Sequence, residues 1–148
     1  MEVMALFIGD FPHTLDDKGR LIMPSKFRNE LGKSFVVTRG LEGCLFVFTE
    51  EKWIDFTNKL NSRGLSQKDI RSITRFFCSC AMTSDLDKQG RFLLNKDLRS
   101  HAGIERDVIV VGVSDRIEIW AKERWSEYCD SEYSDENVIS EKFDGLDF

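Results

Sequence analysis

Apolar residues along this chain fall into short runs divided by glycine-bearing turns, and the runs recur. Leu15-Asp16-Asp17-Lys18-Gly19-Arg20-Leu21-Ile22-Met23 returns 71 positions later as Leu86-Asp87-Lys88-Gln89-Gly90-Arg91-Phe92-Leu93-Leu94. The match continues through Lys26-Phe27-Arg28 and Asp97-Leu98-Arg99, then Leu31-Gly32 and Ala102-Gly103, then the β-rich runs Phe35-Val36-Val37 and Val108-Ile109-Val110-Val111. Each copy closes on an aromatic-ended strand and a tryptophan, Leu45-Phe46-Val47-Phe48 with Trp53 and Ile117-Glu118-Ile119-Trp120 with Trp125. A repeat at fixed period means one structural unit used twice.

One unit reads as strand, tight turn at Asp-x-x-Gly-Arg, short strand, short helix and two more strands. Gly19 and Gly90 supply the positive φ that a tight strand connection needs. Pro24-Ser25 predicts a helix start, with Ser25 able to cap, and Gly32 and Gly103 stand where that helix ends. Between the copies lie two helical patterns, Glu50 to Leu60 and Ser66 to Phe77, separated by Asn61-Ser62-Arg63-Gly64. Trp53, Phe56, Thr57 and Leu60 share one face of the first, and Ile70, Ile73, Phe76 and Phe77 one face of the second. These stripes predict core, or a face against a neighbouring subunit, rather than a cofactor site. Glu123 to Cys129 repeats the first helix. The organisation is thus a unit at 10–53, a helical connector at 54–80, a second unit at 81–125 and a tail at 130–148. A unit of about 45 residues is too small to bury a good core alone. The two should complete each other in one α+β, pseudo-twofold barrel whose strands interleave, flanked by helices.

Composition narrows the setting. With 41% apolar residues, 12 Phe and 3 Trp the chain can pack a core. No stretch reaches the roughly 18 to 20 apolar residues of a membrane span, and Met1-Glu2-Val3-Met4 lacks the basic end and apolar run of a signal peptide, so a cytoplasmic location is expected. Cys44, Cys78, Cys80 and Cys129 suit a reducing compartment as ordinary thiols; Cys78-Ser79-Cys80 has no second ligand pair at zinc spacing, and no metal is expected. His13 and His101 lie in different copies without a nucleophile motif, and Asp85-x-Asp87 reads as two solvated carboxylates on an outer strand face, so no catalytic residue, cofactor or small-molecule ligand is expected.

The net charge of −5 argues at first against a nucleic-acid partner. Its distribution reverses that: residues 121–148 hold 3 basic and 9 acidic residues, leaving the first 120 at +1. The acidity belongs to the tail from Asp130 to Phe148, whose weak apolar periodicity predicts a mobile, solubilising extension.

The segment from Gly9 to Arg28, with the later Asp85-Leu86-Asp87-Lys88-Gln89-Gly90-Arg91 and the closing Glu118-Ile119-Trp120, resembles the MraZ family from about Phe7 to Tyr128. One Asp-x-x-x-Arg carries no information; two, each with Gly before the Arg at matching places in a duplicated unit, are specific. The resemblance implies a SpoVT/AbrB-like swapped-hairpin fold built twice by one chain and subunits joined in a ring. It also implies a nucleoid-associated, DNA-binding regulator that recognises repeated promoter elements of the division and cell-wall gene cluster. Asn95 departs from the pattern where the first copy has Pro24, and Asp97 replaces Lys26, so the second half should present a weaker positive face.

The residues themselves offer a DNA surface. Lys18, Arg20, Lys26 and Arg28 gather around the first turn and helix, and Lys88, Arg91, Lys96 and Arg99 around the second. A twofold relation between the halves would set both clusters on one face. The planar Arg fork can take a phosphate or the O6/N7 edge of guanine with two hydrogen bonds, whereas Lys is chiefly a phosphate contact. Asp16 and Asp87 have two compatible readings: an ion pair fixing the turn, or an orienting group for an Arg that reaches outward. A carboxylate facing phosphates would be repelled, so neither is expected to touch DNA. The rival to a regulator is a ring scaffold or an antitoxin-like protein-binding module.

Overall fold

A computed structural model of the chain describes residues 6–61 and 64–146. Met1-Glu2-Val3-Met4, the Ser62-Arg63 part of the interhelix link and the last two tail residues lie outside the described residues. The first half runs β1 (Phe7–Thr14), β2 (Arg20–Ile22), α1 (Ser25–Leu31), β3 (Ser34–Arg39), β4 (Leu45–Thr49), α2 (Glu50–Asn61) and α3 (Gln67–Cys78). The second repeats it as β5 (Met82–Asp85), β6 (Arg91–Leu93), α4 (Lys96–Ala102), β7 (Asp107–Ser114), β8 (Ile117–Ala121), α5 (Lys122–Tyr133) and α6 (Glu136–Asp144).

The halves are interleaved by strand pairing. One six-stranded antiparallel sheet has the order β1-β7-β8-β4-β3-β5, and β2 pairs with β6 in a separate two-stranded ribbon. The leading strand of each half therefore pairs with the third strand of the other: Thr14 faces Asp107, as Asp85 faces Ser34. Exchanging the halves leaves the order unchanged. Register obeys the same exchange, because Phe46 lies opposite its counterpart Glu118, and Leu21 opposite its counterpart Phe92. The expected barrel is not closed by hydrogen bonds: β1 and β5 are the two edges of an open sheet.

Alternation along the central strands sends neighbouring side chains to opposite faces. Leu45 and Val47 of β4 enter one core with Leu21, Phe27, Phe35, Phe92, Leu98, Ile117 and Ile119. Phe46 and Phe48 enter the other, where Phe77 and Trp120 are buried and Trp53, Phe56, Trp125 and Tyr128 pack against them. The ribbon, α1 and α4 thus cover one face, and α2, α3 and α5 contribute to covering the other. The apolar stripes of the interhalf helices pack on this second core, with Phe77 buried and Trp53, Phe56, Leu60, Ile73 and Phe76 partly so. Phe92 sits edge-on to Phe35 with ring centroids 5.2 Å apart, so the ribbon is anchored by aromatic packing from the opposite half. Burying a ring of this kind is worth about 1.5–3 kcal/mol.

Two local expectations change. The N-cap of α1 is Pro24, with no side-chain cap, so Ser25 is the first helical residue rather than the cap. The second copy does better: Asn95 accepts the Leu98 N–H at 2.9 Å. The tail, expected to be mobile, is helical over most of its length: α5 runs on to Tyr133 and α6 follows, with no residue of either helix buried. Helix α5 has no side-chain cap and leans on the core through Trp125 and Tyr128; α6 is capped by Asp135, which accepts the Asn137 N–H, and is tied to α5 by the Lys142–Glu132 ion pair at 2.8 Å.

Candidate nucleic-acid interface

The site is built from two turns and the ribbon between them. In the first turn Gly19 donates to the Asp16 carbonyl at 3.0 Å and Asp16 N–H to the Arg20 carbonyl at 2.9 Å, which closes the loop. Gly19 holds φ at +79°, a conformation that costs L-residues dearly. The Asp16 side chain fills the loop: Oδ1 accepts the Lys18 and Arg20 backbone N–H groups at 2.9 Å, and Oδ2 accepts Arg20 Nε at 2.7 Å. The second turn repeats every bond, with Asp87 Oδ1 taking the Gln89 and Arg91 N–H groups and Oδ2 taking Arg91 Nε at 2.8 Å. Both carboxylates are held below the usual range, first of all by the backbone N–H of Arg20 and of Arg91.

The ion-pair reading of Asp16 and Asp87 is therefore present, and it engages only Nε of each guanidinium. Arg20 makes no other side-chain hydrogen bond among the described residues, and its Nη nitrogens remain available. Arg91 differs, because its Nη2 also donates to Gln89 Oε1 at 3.0 Å.

Antiparallel pairing of β2 with β6 sets the two turns at opposite ends of the short ribbon, each beside the end of the other half's strand. Arg20 lies opposite Leu93 and Arg91 opposite Ile22. With Leu21 and Phe92 buried at 0% and 3% exposure, alternation points Arg20, Ile22, Arg91 and Leu93 away from the core on one face. Two residues along a strand is about 7 Å, so the two arginines share one narrow surface.

Arg28 and Arg99 each reach beyond their own half. Arg28 Nε donates to the Met23 carbonyl at 2.8 Å and Arg99 Nε to the Leu94 carbonyl at 3.0 Å, so each first secures the end of its own ribbon strand. Each also lies over the turn of the opposite half. A β-carbon on Gly90 would collide with the Arg28 guanidinium, and one on Gly19 would sit 3.4 Å from Arg99 Cζ. The backbone crosses in the same sense, Met23 N–H bonding Gly90 O at 2.8 Å and Leu94 N–H bonding Gly19 O at 3.0 Å. The clusters are therefore mixed between halves, Arg99 joining Lys18 and Arg20, and Arg28 joining Lys88 and Arg91. Lys18, Lys26, Lys88 and Lys96 are all exposed. His13 is kept below the ordinary imidazole value by partial burial and then by the Arg28 charge.

The groups considered for other chemistry lie apart from this ribbon or within the fold. His101 Nε2 lies 3.2 Å from the Gly40 carbonyl and its ring meets Phe76 edge-on. Asp85 ends β5 on the exposed side, while Asp87 lies beyond that strand in the turn, not on its outer face. Cys44 is buried, which pushes its thiol pKa up, and all four cysteines are free thiols. No helix among the described residues is long and apolar enough to cross a membrane.

Sequence reasoning missed Ile22 and Leu93 as parts of this surface, although the alternation Arg20-Leu21-Ile22 could have revealed them. It also missed the buried Glu118, whose carboxylate takes Arg116 Nη2 at 2.8 Å and Trp120 Nε1 at 3.0 Å and so is fully engaged within the helix-side core.

Comparison with known proteins assigns the duplicated architecture. A family profile described as "MraZ protein, putative antitoxin-like" matches residues 6–76 and again 77–145. The chain is 48% identical over 141 residues to Transcriptional regulator MraZ of Thermoanaerobacter sp. (strain X514), covering 95% of this chain and 99% of that one. It is 46% identical over 142 residues to the protein of that name from Moorella thermoacetica, covering 96% and 99%. The corresponding figures for Ligilactobacillus salivarius are 47% over 143 residues, 97% and 99%. Two profile matches in tandem and near-complete coverage at this identity place the chain in the MraZ family.

Proposed function

We propose that the protein is a sequence-specific DNA-binding transcriptional regulator. The observation that carries this reading is the ribbon, on which Arg20 and Arg91, each gripped through Nε by a turn carboxylate, face outward at diagonal positions. A guanidinium pinned at Nε and still carrying Nη donors is organised before binding, which lowers the entropy of forming a bidentate contact with guanine or phosphate. A two-stranded ribbon fits a major groove about 12 Å wide. The relatives' name, Transcriptional regulator MraZ, supports the same role.

The finer parts of the proposal follow from weak single-subunit charge. A core of net +1 binds DNA weakly at physiological salt. Joined in a homo-oligomeric ring, several ribbons meet several repeated promoter elements, and avidity rises about 100-fold when spacings match. The target is the division and cell-wall gene cluster, with the protein cytoplasmic and nucleoid-associated. Within this proposal the units 10–53 and 81–125, tied by the connector 54–80, form the swapped-hairpin pair, and 130–148 is an acidic extension. Lys18, Lys26, Lys88 and Lys96 serve phosphates, Arg20 and Arg91 read base edges, and Arg28 and Arg99 brace the ribbon while adding charge beside the opposite turn.

A second reading is favoured by one feature. Helix α6 exposes Val138, Ile139 and Phe143, and Leu146 just beyond it is 60% exposed, which suits a protein-binding segment such as an antitoxin-like module would use. Fluorescence-anisotropy titration at about 150 mM salt, a Debye length of about 8 Å, against DNA from upstream of the protein's own gene and a scrambled duplex separates the readings. Tight preference for the upstream DNA is expected; equal weak binding to both would transfer the assignment to protein binding.

A further inference from the structure

We infer that Ile22 and Leu93 are specificity-determining residues that contact thymine methyl groups in the major groove. The inference rests on the DNA-binding reading and deepens it by naming the base feature read between the two arginines.

The outward face of the ribbon holds four side chains in an alternating array, Arg20 opposite Leu93 and Ile22 opposite Arg91. Ile22 is 40% exposed and Leu93 50%, while their strand neighbours Leu21 and Phe92 anchor the ribbon in the core. Each apolar side chain is thus flanked by a guanidinium across the ribbon and by another along its own strand. Arg20 and Arg91 cannot turn into the core, because turn carboxylates hold them at 2.7 and 2.8 Å. The surface that approaches an anion is therefore cationic at two corners and apolar at the other two. The charge complementarity selects DNA as the occupant, and the surrounding exposed lysines, Lys18 and Lys88, reinforce it.

An apolar side chain carried by such a ribbon into the groove meets one apolar group on the base edges, the C5-methyl of thymine. Polar edges would penalise Ile22 and Leu93, because a desolvated donor or acceptor without a partner is costly. The array consequently favours a step in which bases contacted by the arginines adjoin thymines. Because the two halves exchange places about Leu21 and Phe92, the preference should appear on both sides of the site.

The test uses the full chain and duplex DNA from upstream of its own gene, synthesised either with thymine or with deoxyuridine at every thymine position. Uracil keeps the hydrogen-bonding edge and deletes the methyl group. For the unaltered protein the substitution should weaken binding by about fourfold for each methyl contacted, the equivalent of one buried CH2. The Ile22→Ala/Leu93→Ala variant should bind thymine DNA more weakly and lose most of that sensitivity, while keeping its circular dichroism and its size on gel filtration. Equal binding of both duplexes by the unaltered protein, with preference over scrambled DNA intact, would overturn the methyl contact and leave the regulator reading standing. An unchanged uracil penalty in the double variant would also overturn it, as would variants that merely dissociate the oligomer. No preference for the upstream thymine duplex at all would overturn both readings.

Discussion

The two Asp-x-x-x-Arg turns share every backbone bond yet differ in how they present their arginines. In the first, Arg20 is held by Asp16 alone, and Lys18 stands beside it. In the second, Gln89 replaces that lysine and ties up Arg91 Nη2, and Asp97 stands on α4 where Lys26 stands on α1. Charge does not separate the halves, because Lys88 stands where the first turn has Asp17: residues 16–28 and 87–99 each hold four basic and two acidic residues. The difference lies in the guanidinium, Arg91 carrying one more hydrogen bond than Arg20. The helix of the second half is also the better built, with Asn95 as a true N-cap where the first half has Pro24. Duplication thus preserved the geometry and the charge of the ribbon while committing Arg91 to one more partner than Arg20.

The most direct way to break this comparison is to remove each arginine in turn. Arg20→Ala should cost about 1–3 kcal/mol of affinity for upstream DNA, the range for losing a good bidentate contact, and Arg91→Ala should cost less. Anisotropy titrations over a salt series check both; equal losses would mean that the Gln89 contact does not matter.

The glycines differ the other way. Both hold φ at +79°, but only at Gly90 would a β-carbon collide with a guanidinium, that of Arg28. Gly90→Ala should destabilise the fold by about 2–3 kcal/mol and Gly19→Ala by about 1–2, since a left-handed conformation alone costs an L-residue about that much. Urea midpoints at unchanged slope measure the difference. By the same assay Asn95→Ala should cost about 1 kcal/mol, the value of an N-cap, while Pro24→Ala should cost less because no cap bond is lost.

The smallest effect is that of pH. Asp16 and Asp87 are more acidic in the folded turns than in the unfolded chain, so the unfolded state takes up protons first as pH falls. Their contribution is complete above about pH 4, the ordinary carboxylate range, and is lost as pH drops through the lower folded values. The Arg20 and Arg91 Nε–H resonances should shift in that acid range. Arg91 should shift less, because Gln89 is a neutral acceptor that does not titrate; identical profiles would contradict the proposed asymmetry.

Much of this was written locally. The 71-residue repeat, the glycine turns and the helices at 50–61 and 67–78 follow from short-range signals, spacing and turn chemistry. Interleaving was legible as a need, because a single unit exposes too much apolar strand, but the register that sets Leu21 against Phe92 was not, since nothing near either residue names its partner. The crossing of Arg28 to Gly90 is illegible for the same reason: Arg28 lies nearer the first turn in sequence, and the ribbon carries it over the second. Helix α6 was overlooked because Val138, Ile139 and Phe143 are scattered among charges and none is buried, so no apolar stripe marked it.

The central claim is that two turn-oriented arginines on one ribbon face read DNA. Arg20→Ala/Arg91→Ala protein, with fold and subunit size verified, titrated against upstream and scrambled duplexes tests it most directly. The expected result is loss of preference between the duplexes with only weak, strongly salt-dependent binding left; retention of the full preference would contradict the account.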